Sequence, residues 1–487
     1  MIKYLFDKNE LKFINLSKKN KKYTNKEFLM IQCVEDYYFL LLYKEIIKVE
    51  KKEVIGFITM PLNISLTDSL LVIPFILKLI KHEFRKYRWK KLYSSIGVTS
   101  FLNPSELFFI NFIKNFKSVL KTSRLIKTKK SLNDLYINDL KIGDILYDTI
   151  VRFNSLKPTV RLKGYLYFKF LALALEMIRF NNKLLKKVNF SKCFFTQGVY
   201  LHHGLPVRQF VNNNKEVYTI GGLFQMFKIN TRDHYLMEKD FRFHKKNFDL
   251  KFSNNEISLA KKQFSIRFQG LDDNGQVNFF DVNPYGDKKV RLNKSIDGVL
   301  FLHDFYDSQK IMGESIFNDF LEWFEFTVHL IKKHDLNIGI KPHPHDLTIE
   351  SKRFVDKLKK KYTNLNWIDK KMSNTTIFDS NIKFGITHHG TVASELAYFG
   401  IIPITCAENP TSSFNFTKQA RSKEEYANII CKIKNSKFKI DKKEVFKFYY
   451  MHYMVDVDDY KKLDKKVLKK ISLTNRYLHD SKTIADF

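Results

Sequence analysis

The chain has 487 residues, more than one hydrophobic core holds and a comfortable length for two domains. Aliphatic and aromatic residues are plentiful, which excludes a disordered chain. The formal charge of +33 suits nucleic acid, an anionic membrane face or anionic substrates, but Lys is spread over the whole sequence beside abundant Asn, Ile and Phe, as an AT-rich coding bias produces, and without an Arg-rich tail or a basic-aromatic repeat no nucleic-acid partner is expected.

The opening MIKYLFDKNELKF lacks the continuous apolar core of a signal peptide, and no apolar run approaches the ~18 residues of a spanning helix. Strands are expected at Tyr37–Tyr43 and Val54–Met60. The most apolar run, Leu70 to Ile80, is followed at once by the basic Lys81 to Lys91. A buried core helix with a basic exposed end is the expectation; the alternative is a peripheral contact with an anionic membrane, with Trp89 and Tyr87 at the interface. A strand at Leu92–Ile96, a turn at Gly97 and a long amphipathic helix from about Pro104 to Leu120 follow. Asp144 and Asp148, spaced i, i+4, share one helical face with Arg152 two turns on from Asp144, either as a solvated ion-pair ladder or as a carboxylate placed to take a proton. A helix at Tyr165–Lys187 and a strand at Phe190–Thr196 lead to a polar loop and a further helix bearing Tyr200, His202, His203 and Arg208. The strand Lys215–Ile220, closed by Gly221-Gly222, completes a βαβ unit.

Residues 225 to 285 are mixed, helical around Ser258–Ile266, and the polar stretch Gly270–Gly286 marks the domain boundary. This gives a first domain over 1–280, a second over 281–450 and a C-terminal helical segment over 451–487. The second half is regular: strands at Val299–His303, Ile338–Lys341, Asn366–Ile368 and Phe384–Thr387, with helices at Gly313–Lys333, Ile349–Tyr362 and Thr375–Ser380 between them. Such alternation predicts a parallel, doubly wound sheet. The stretch Phe384 to Cys406 reads as strand, polar loop (His388, His389, Gly390), a helix opening at Thr391 and a second strand from Ile401. The free N–H groups at the helix start form an anion site, with Glu395 one turn in. The loop from Lys341 to Asp346, containing His343 and Pro344, leaves the same sheet edge, where ligands bind in open parallel sheets. Beyond Phe414, helices are expected at Lys423–Asn435 and Val455–Ile471.

Four scattered cysteines, Cys33, Cys193, Cys406 and Cys431, argue against a zinc ribbon and a disulfide framework and fit a reducing cytoplasm. The His343-Pro-His345 and His388-His389 pairs could ligate a metal, but they sit too late for the first strand of a metal-hydrolase barrel. Asp456-Val-Asp458-Asp459 has the letters of a metal-nucleotide motif but falls after the α/β alternation has ended, and no metal is expected. No P-loop, GxSxG elbow or GxGxxG is present. What remains is an enzyme that holds a phosphate or diphosphate on backbone N–H groups and cationic or neutral side chains. Glycosyl transfer needs that site to stabilise the leaving phosphate, and a base for the acceptor hydroxyl, with Asp144, Asp148 and His203 as candidates.

The KPHP stretch after a strand, followed some 45 residues later by HHGTVASELAYFGIIPI, resembles the bacterial capsular and surface polysaccharide biosynthesis proteins, glycosyltransferase-like proteins of the GT-B type. Ile142–Arg152, Gly198–Gly204 and Phe301–Trp323 are similar too, and the resemblance runs from about residue 138 to about 410. It implies an α/β fold of two Rossmann-like domains facing a cleft, with the C-terminal helix able to cross back. On the donor side it implies His343 and Pro344 near the donor phosphate or nucleotide, Gly390 and Thr391 at the phosphate-facing turn, and Glu395 at a position that often binds ribose.

The reading is a metal-independent glycosyltransferase, cytoplasmic and peripheral on the inner membrane face, moving sugar from a nucleotide-sugar, which is a substrate and not a cofactor, to a polysaccharide or glycolipid. Donor binding is expected of Lys341, His343, Pro344, His388, His389, Gly390, Thr391 and Glu395, and acceptor binding of Arg152, Tyr200, His202 and Arg208. Alternatives are a glycerophosphate or phospho-sugar polymer transferase and a basic scaffold or nucleic-acid-binding protein without catalysis.

Overall fold

The computed structural model describes residues 27–61, 72–220, 226–229, 252–270, 284–285, 295–310, 312–433 and 436–455, with 460, 462–464 and 471. The Gly221-Gly222 turn, the Asp456–Asp459 motif and most of the stretches 270–286 and 455–471 lie outside them. The chain divides into two compact units, Met1–Phe153 with Arg161–Met237 and Val457–Phe487, and Asn154–Val160 with Glu238–Asp456.

The first unit is built on β1 (Phe28–Cys33), β2 (Glu53–Ile58) and β3 (Val98–Leu102), a short hairpin of β4 (Tyr136–Ile137) and β5 (Leu140–Lys141), and then β6 (Phe190–Phe195), β7 (Glu216–Ile220) and β8 (Met226–Ile229). Its main sheet has the order β3-β2-β1-β6-β7-β8, parallel throughout except for β8. Both faces of β1 are buried. Leu29, Ile31 and Cys33 meet the helix Tyr37–Glu50, while Met30 meets Phe190, Val207 and Phe210 on the other side. A strand covered on both faces reads as a continuous apolar run, as β1 does.

Three expectations change here. Tyr37–Tyr43 is the start of a helix, because Asp36 caps Tyr38 N–H at 2.8 Å and the apolar run continues to Ile47 with nearly every side chain buried. Leu92–Ser95 is the last turn of a 24-residue helix, Val72–Ser95, which stops just before Gly97 at φ +115°. The front of that helix is not core: Ile73 is 72% and Leu77 61% exposed, and burial begins with His82, Lys86, Trp89, Leu92 and Tyr93. Trp89 packs against Tyr37 and Tyr93, so it is not an interfacial anchor. At the far end of the chain, Tyr460, Leu463 and Ile471 are buried in this unit's core, and the Tyr460 hydroxyl donates to Glu50 at 2.6 Å. The chain thus returns to its first unit after forming the second.

The second unit holds β9 (Gly298–Phe301), β10 (Ile338–Lys341), β11 (Asn366–Trp367), β12 (Phe384–Ile386), β13 (Ile402–Thr405) and β14 (Lys418–Gln419). Their order is β11-β10-β9-β12-β13-β14 and every pairing is parallel. In each main sheet the first three strands run outward one way and the next three the other, the Rossmann-like order 3-2-1-4-5-6. One face is sealed by Phe320, Trp323 and Phe324 of the helix Phe320–Lys333, with Trp323 Nε1 donating to the Tyr426 hydroxyl at 2.8 Å. The opposite face is sealed by Ile377, Phe378 and Leu396.

The central β9–β12 pairing depends on Gly298, which lies opposite Phe384; a Cβ there would stand 2.3 Å from the Phe384 ring. Gly298→Ala is therefore expected to destabilise the second unit by about 1–3 kcal/mol, read as a lower urea midpoint, and an unchanged midpoint would contradict this packing.

Candidate functional site

Where the strand order of the second unit reverses, the loops after β9, β10 and β12 leave the sheet side by side. They line one cavity of about 110 Å³, together with Arg267, Tyr285 and Glu395. That volume is below the ~300 Å³ of a small-ligand pocket.

Its frame is polar and buried. Asp304, just past β9, accepts from Tyr306 N at 2.8 Å, Ser351 Oγ at 2.8 Å and Leu347 N at 2.9 Å, fastening the first loop to the second. Past β12, Thr387 Oγ1 accepts from Gly390 N at 3.2 Å and lies 3.1 Å from His303 Nε2. The backbone N–H of His389 also points at that nitrogen, at 3.4 Å. A backbone N–H only donates, so His303 Nε2 is the acceptor and Nδ1 carries the ring proton. Gly390 has no room for a side chain, since a Cβ would come within 2.7 Å of Thr387 Oγ1.

The cationic and imidazole groups come from the same edge. Lys341 ends β10, is buried and donates to Lys370 O at 3.0 Å; burial lowers its pKa to about 8, so it stays largely charged at neutral pH. His343 Nδ1 lies 2.8 Å from His345 O, and burial lowers its pKa. Gly390 and Thr391 line the cavity, but the helix Val392–Tyr398 that they open has only seven residues, so its dipole adds little.

Glu395 on that helix is 3% exposed and lines the cavity. Its Oε1 accepts from the Tyr285 hydroxyl and from Arg267 at 3.3 Å, while Oε2 has no hydrogen-bond partner among the described residues. Arg267, near the end of the helix Asn254–Phe268, also donates to the Tyr285 hydroxyl at 3.0 Å and lies over the Tyr453 ring. A buried carboxylate is tolerable only with such a partner, and its bare oxygen calls for a donor from a ligand.

Of the residues predicted for donor binding, the structure brings Lys341, His343, Pro344, Gly390, Thr391 and Glu395 to this cavity. His388 and His389 do not line it. His388 bonds Ser315 Oγ at 2.7 Å and His389 Nδ1 at 3.0 Å, packed against Phe320 and Trp323. His303, Arg267 and Tyr285 were not legible as site residues: each bonds at the cavity to a partner 84 to 128 positions away. The Thr-His-His-Gly run after a strand asked for a facing partner, and His303 at the end of the neighbouring strand supplies it.

In the first unit, Asp144 is bonded by both oxygens to Arg208, at 2.6 and 2.7 Å. Burial pushes its carboxyl up, but the guanidinium outweighs this and holds it below the usual range. Asp148, on the same helix Gly143–Arg152, is buried. Arg208 is likewise committed, to Asp144 and to Lys141 O at 2.8 Å. His202 is buried, its Nε2 3.8 Å from Glu106, and Arg152 and Tyr200 are half-buried, Tyr200 at φ +58°. Among the described residues no group of three or more His, Cys, Asp or Glu is placed to hold a metal ion, and no helix is long and apolar enough to cross a membrane.

No protein-family model and no curated protein sequence matches the chain. Among solved structures, similar chains include the Thermosulfurimonas dismutans KpsC beta Kdo 2,7 transferase, 12% identical over 55% of this chain and 78% of that one, with a TM-score of 0.31. The KpsC beta Kdo 2,4 transferase of the same organism is 10% identical over 54% and 79%, at 0.32. The Methanocaldococcus jannaschii UDP-GlcNAc 2-epimerase, in complex with UDP-GlcNAc and UDP, is 12% identical over 86% and 97%, at 0.27. Likeness of this degree does not place the chain in either group.

Burial and neighbouring histidines hold the His303 and His388 imidazoles well below their ordinary pKa of 6.5, and burial with Lys310 lowers His389 to about 3. The unfolded chain therefore binds more protons below about pH 6.5, so this contribution to stability is full above that value and is lost as pH falls toward about 3. A lower urea midpoint at about pH 5.5 than at about pH 7.5 is expected, with the difference reduced in His389→Gln; equal midpoints in the wild type would contradict neutral imidazoles.

Proposed function

We propose that the second unit binds the nucleotide end of a nucleotide-sugar and that the protein is a glycosyltransferase building a surface polysaccharide or glycolipid. The observation that carries this reading is Glu395. Its anchored carboxylate keeps one oxygen without a partner among the described residues, at a cavity that also holds Lys341, His303 and His343. A carboxylate repels a free anion but accepts from the hydroxyls of a ribose or sugar, while the ammonium and imidazoles suit the attached phosphate. Both groups at one switch point fit a nucleotide-sugar better than either inorganic phosphate or a neutral sugar.

Transfer then requires stabilisation of the leaving nucleotide, supplied by Lys341 and the imidazoles, and a base for the acceptor hydroxyl. Isothermal titration with UDP-, GDP- and CMP-sugars tests the donor side. Binding of at least one is expected, weakened about tenfold or more, roughly 1.4 kcal/mol, by Glu395→Gln and by His343→Ala. Failure to bind any, or binding indifferent to both substitutions, would sink the reading.

We also propose that the first unit rests on an anionic membrane surface through the front of the helix Val72–Ser95. Ile73, Ile76, Leu77, Ile80 and Phe84 recur at helical spacing and are exposed, with exposed Lys78 and Lys81 beside them. An exposed apolar stripe edged by lysines suits insertion at a charged lipid interface. Phosphatidylglycerol-containing vesicles are expected to co-sediment the wild type and to lose most of the Ile76→Asp/Leu77→Asp variant; equal sedimentation of the two would remove this contact.

A further inference from the structure

We propose that Gln32, a residue far away in sequence, fixes His203 in the tautomer that makes its Nε2 a proton acceptor; the catalytic use of that acceptor rests on the transfer reading above. Gln32 lies one residue from the carboxyl end of β1, and Thr196 directly follows β6, the two strands between which the first sheet reverses its order. His203 follows in a widened π-type turn, Tyr200–Gly204, a distortion often found at functional sites.

The hydrogen bonds leave little freedom. Gln32 is fully buried, and its Nε2 donates to the backbone carbonyl of His202 at 3.3 Å. Its Oε1 accepts from the backbone N–H of Thr196 at 2.9 Å. A carbonyl only accepts and a backbone N–H only donates, so the amide cannot be turned over. The same Oε1 accepts from Thr196 Oγ1 at 2.8 Å and lies 3.2 Å from His203 Nδ1; Thr196 Oγ1 is itself 3.1 Å from that nitrogen. Two acceptor lone pairs facing each other would repel, so Nδ1 must carry the proton. Among the described residues every hydrogen bond of the His203 ring falls on Nδ1, and Nε2 keeps its lone pair on a side chain that is half-buried.

The two carboxylates predicted as alternatives are placed differently. Both oxygens of Asp144 are taken by Arg208, and Asp148 is 1% exposed. His203 alone of the three pairs a fixed lone pair with access from outside. Burial, with His202 beside it, lowers its pKa to about 3, so the lone pair is present throughout the physiological range. In the step itself, Nε2 takes the proton of an acceptor hydroxyl. The imidazolium then returns that proton to water. Gln32 touches no reacting atom; it is a positioning residue.

The test is ¹⁵N NMR of the full chain labelled at histidine, with His203 assigned by comparison with His203→Gln. The wild type is expected to show a protonated Nδ1 and a bare Nε2, and the reverse pattern overturns the proposal without any variant of Gln32. Gln32→Leu frees the Thr196 hydroxyl to donate to Nδ1, so the ring is expected to switch toward the Nε2–H form, whereas Gln32→Glu, which keeps an acceptor, retains the original one. A Gln32→Leu spectrum identical to the wild type overturns the role of Gln32. With whichever UDP-, GDP- or CMP-sugar the protein turns over, His203→Gln is expected to lower turnover by about 10²–10⁴-fold with donor affinity unchanged; a loss under about tenfold overturns the base assignment. If none is turned over, the transfer reading and with it the base fall, while the tautomer result still decides the lock made by Gln32.

Discussion

A parallel sheet wound outward in both directions from its first strand leaves one place uncovered. The crossover helices after the first and fourth strands depart to opposite sides, so the carboxyl ends of those two central strands face outward with nothing laid across them. Both units of this protein are built that way, β1 beside β6 in one and β9 beside β12 in the other. Almost everything chemically distinctive in the described residues gathers at these two places. Gln32, Thr196 and His203 stand at the first, and His303, Thr387, Gly390 and Glu395 at the second.

The two places are furnished differently. In the second unit a buried carboxylate is anchored on one oxygen by Arg267 and Tyr285, and a buried ammonium ends the neighbouring strand. Mixed charge of this kind suits a ligand with hydroxyls at one point and phosphate at another. In the first unit the charged groups have already found each other, Asp144 with Arg208, and what remains at the edge is a neutral imidazole held in one tautomer. Neutral histidines recur in both, because burial penalises the imidazolium wherever no carboxylate faces it.

Much of this was legible in the sequence. The β/α alternation after residue 298 gave the doubly wound sheet, since helix and strand periods differ and the breaks between them are sharp. The loops at Lys341–Pro344 and Gly390–Glu395 were readable as one edge, because in a parallel sheet every strand's carboxyl end lies on the same side. The misreadings have local causes. Tyr37–Tyr43 is as rich in aromatic residues as a strand, and only the Asp36 cap and the run on to Ile47 decide for helix. Leu92 to Ser95 looked separate because the helix before it is unusually long. The front of that helix reads as core on hydropathy alone, and nothing in its composition says that its apolar side chains are exposed. Partnerships across long separations, Arg267 with Glu395 or Gln32 with His203, leave no mark in a single sequence at all.

Hydrogen-exchange mass spectrometry of the full chain with and without UDP-, GDP- or CMP-sugar tests whether the switch point of the second unit is a nucleotide-sugar site. Protection is predicted in the three segments 302–306, 341–346 and 387–395, which carry the cavity walls. Protection that bypasses all three, or none with any of these donors, would contradict the account.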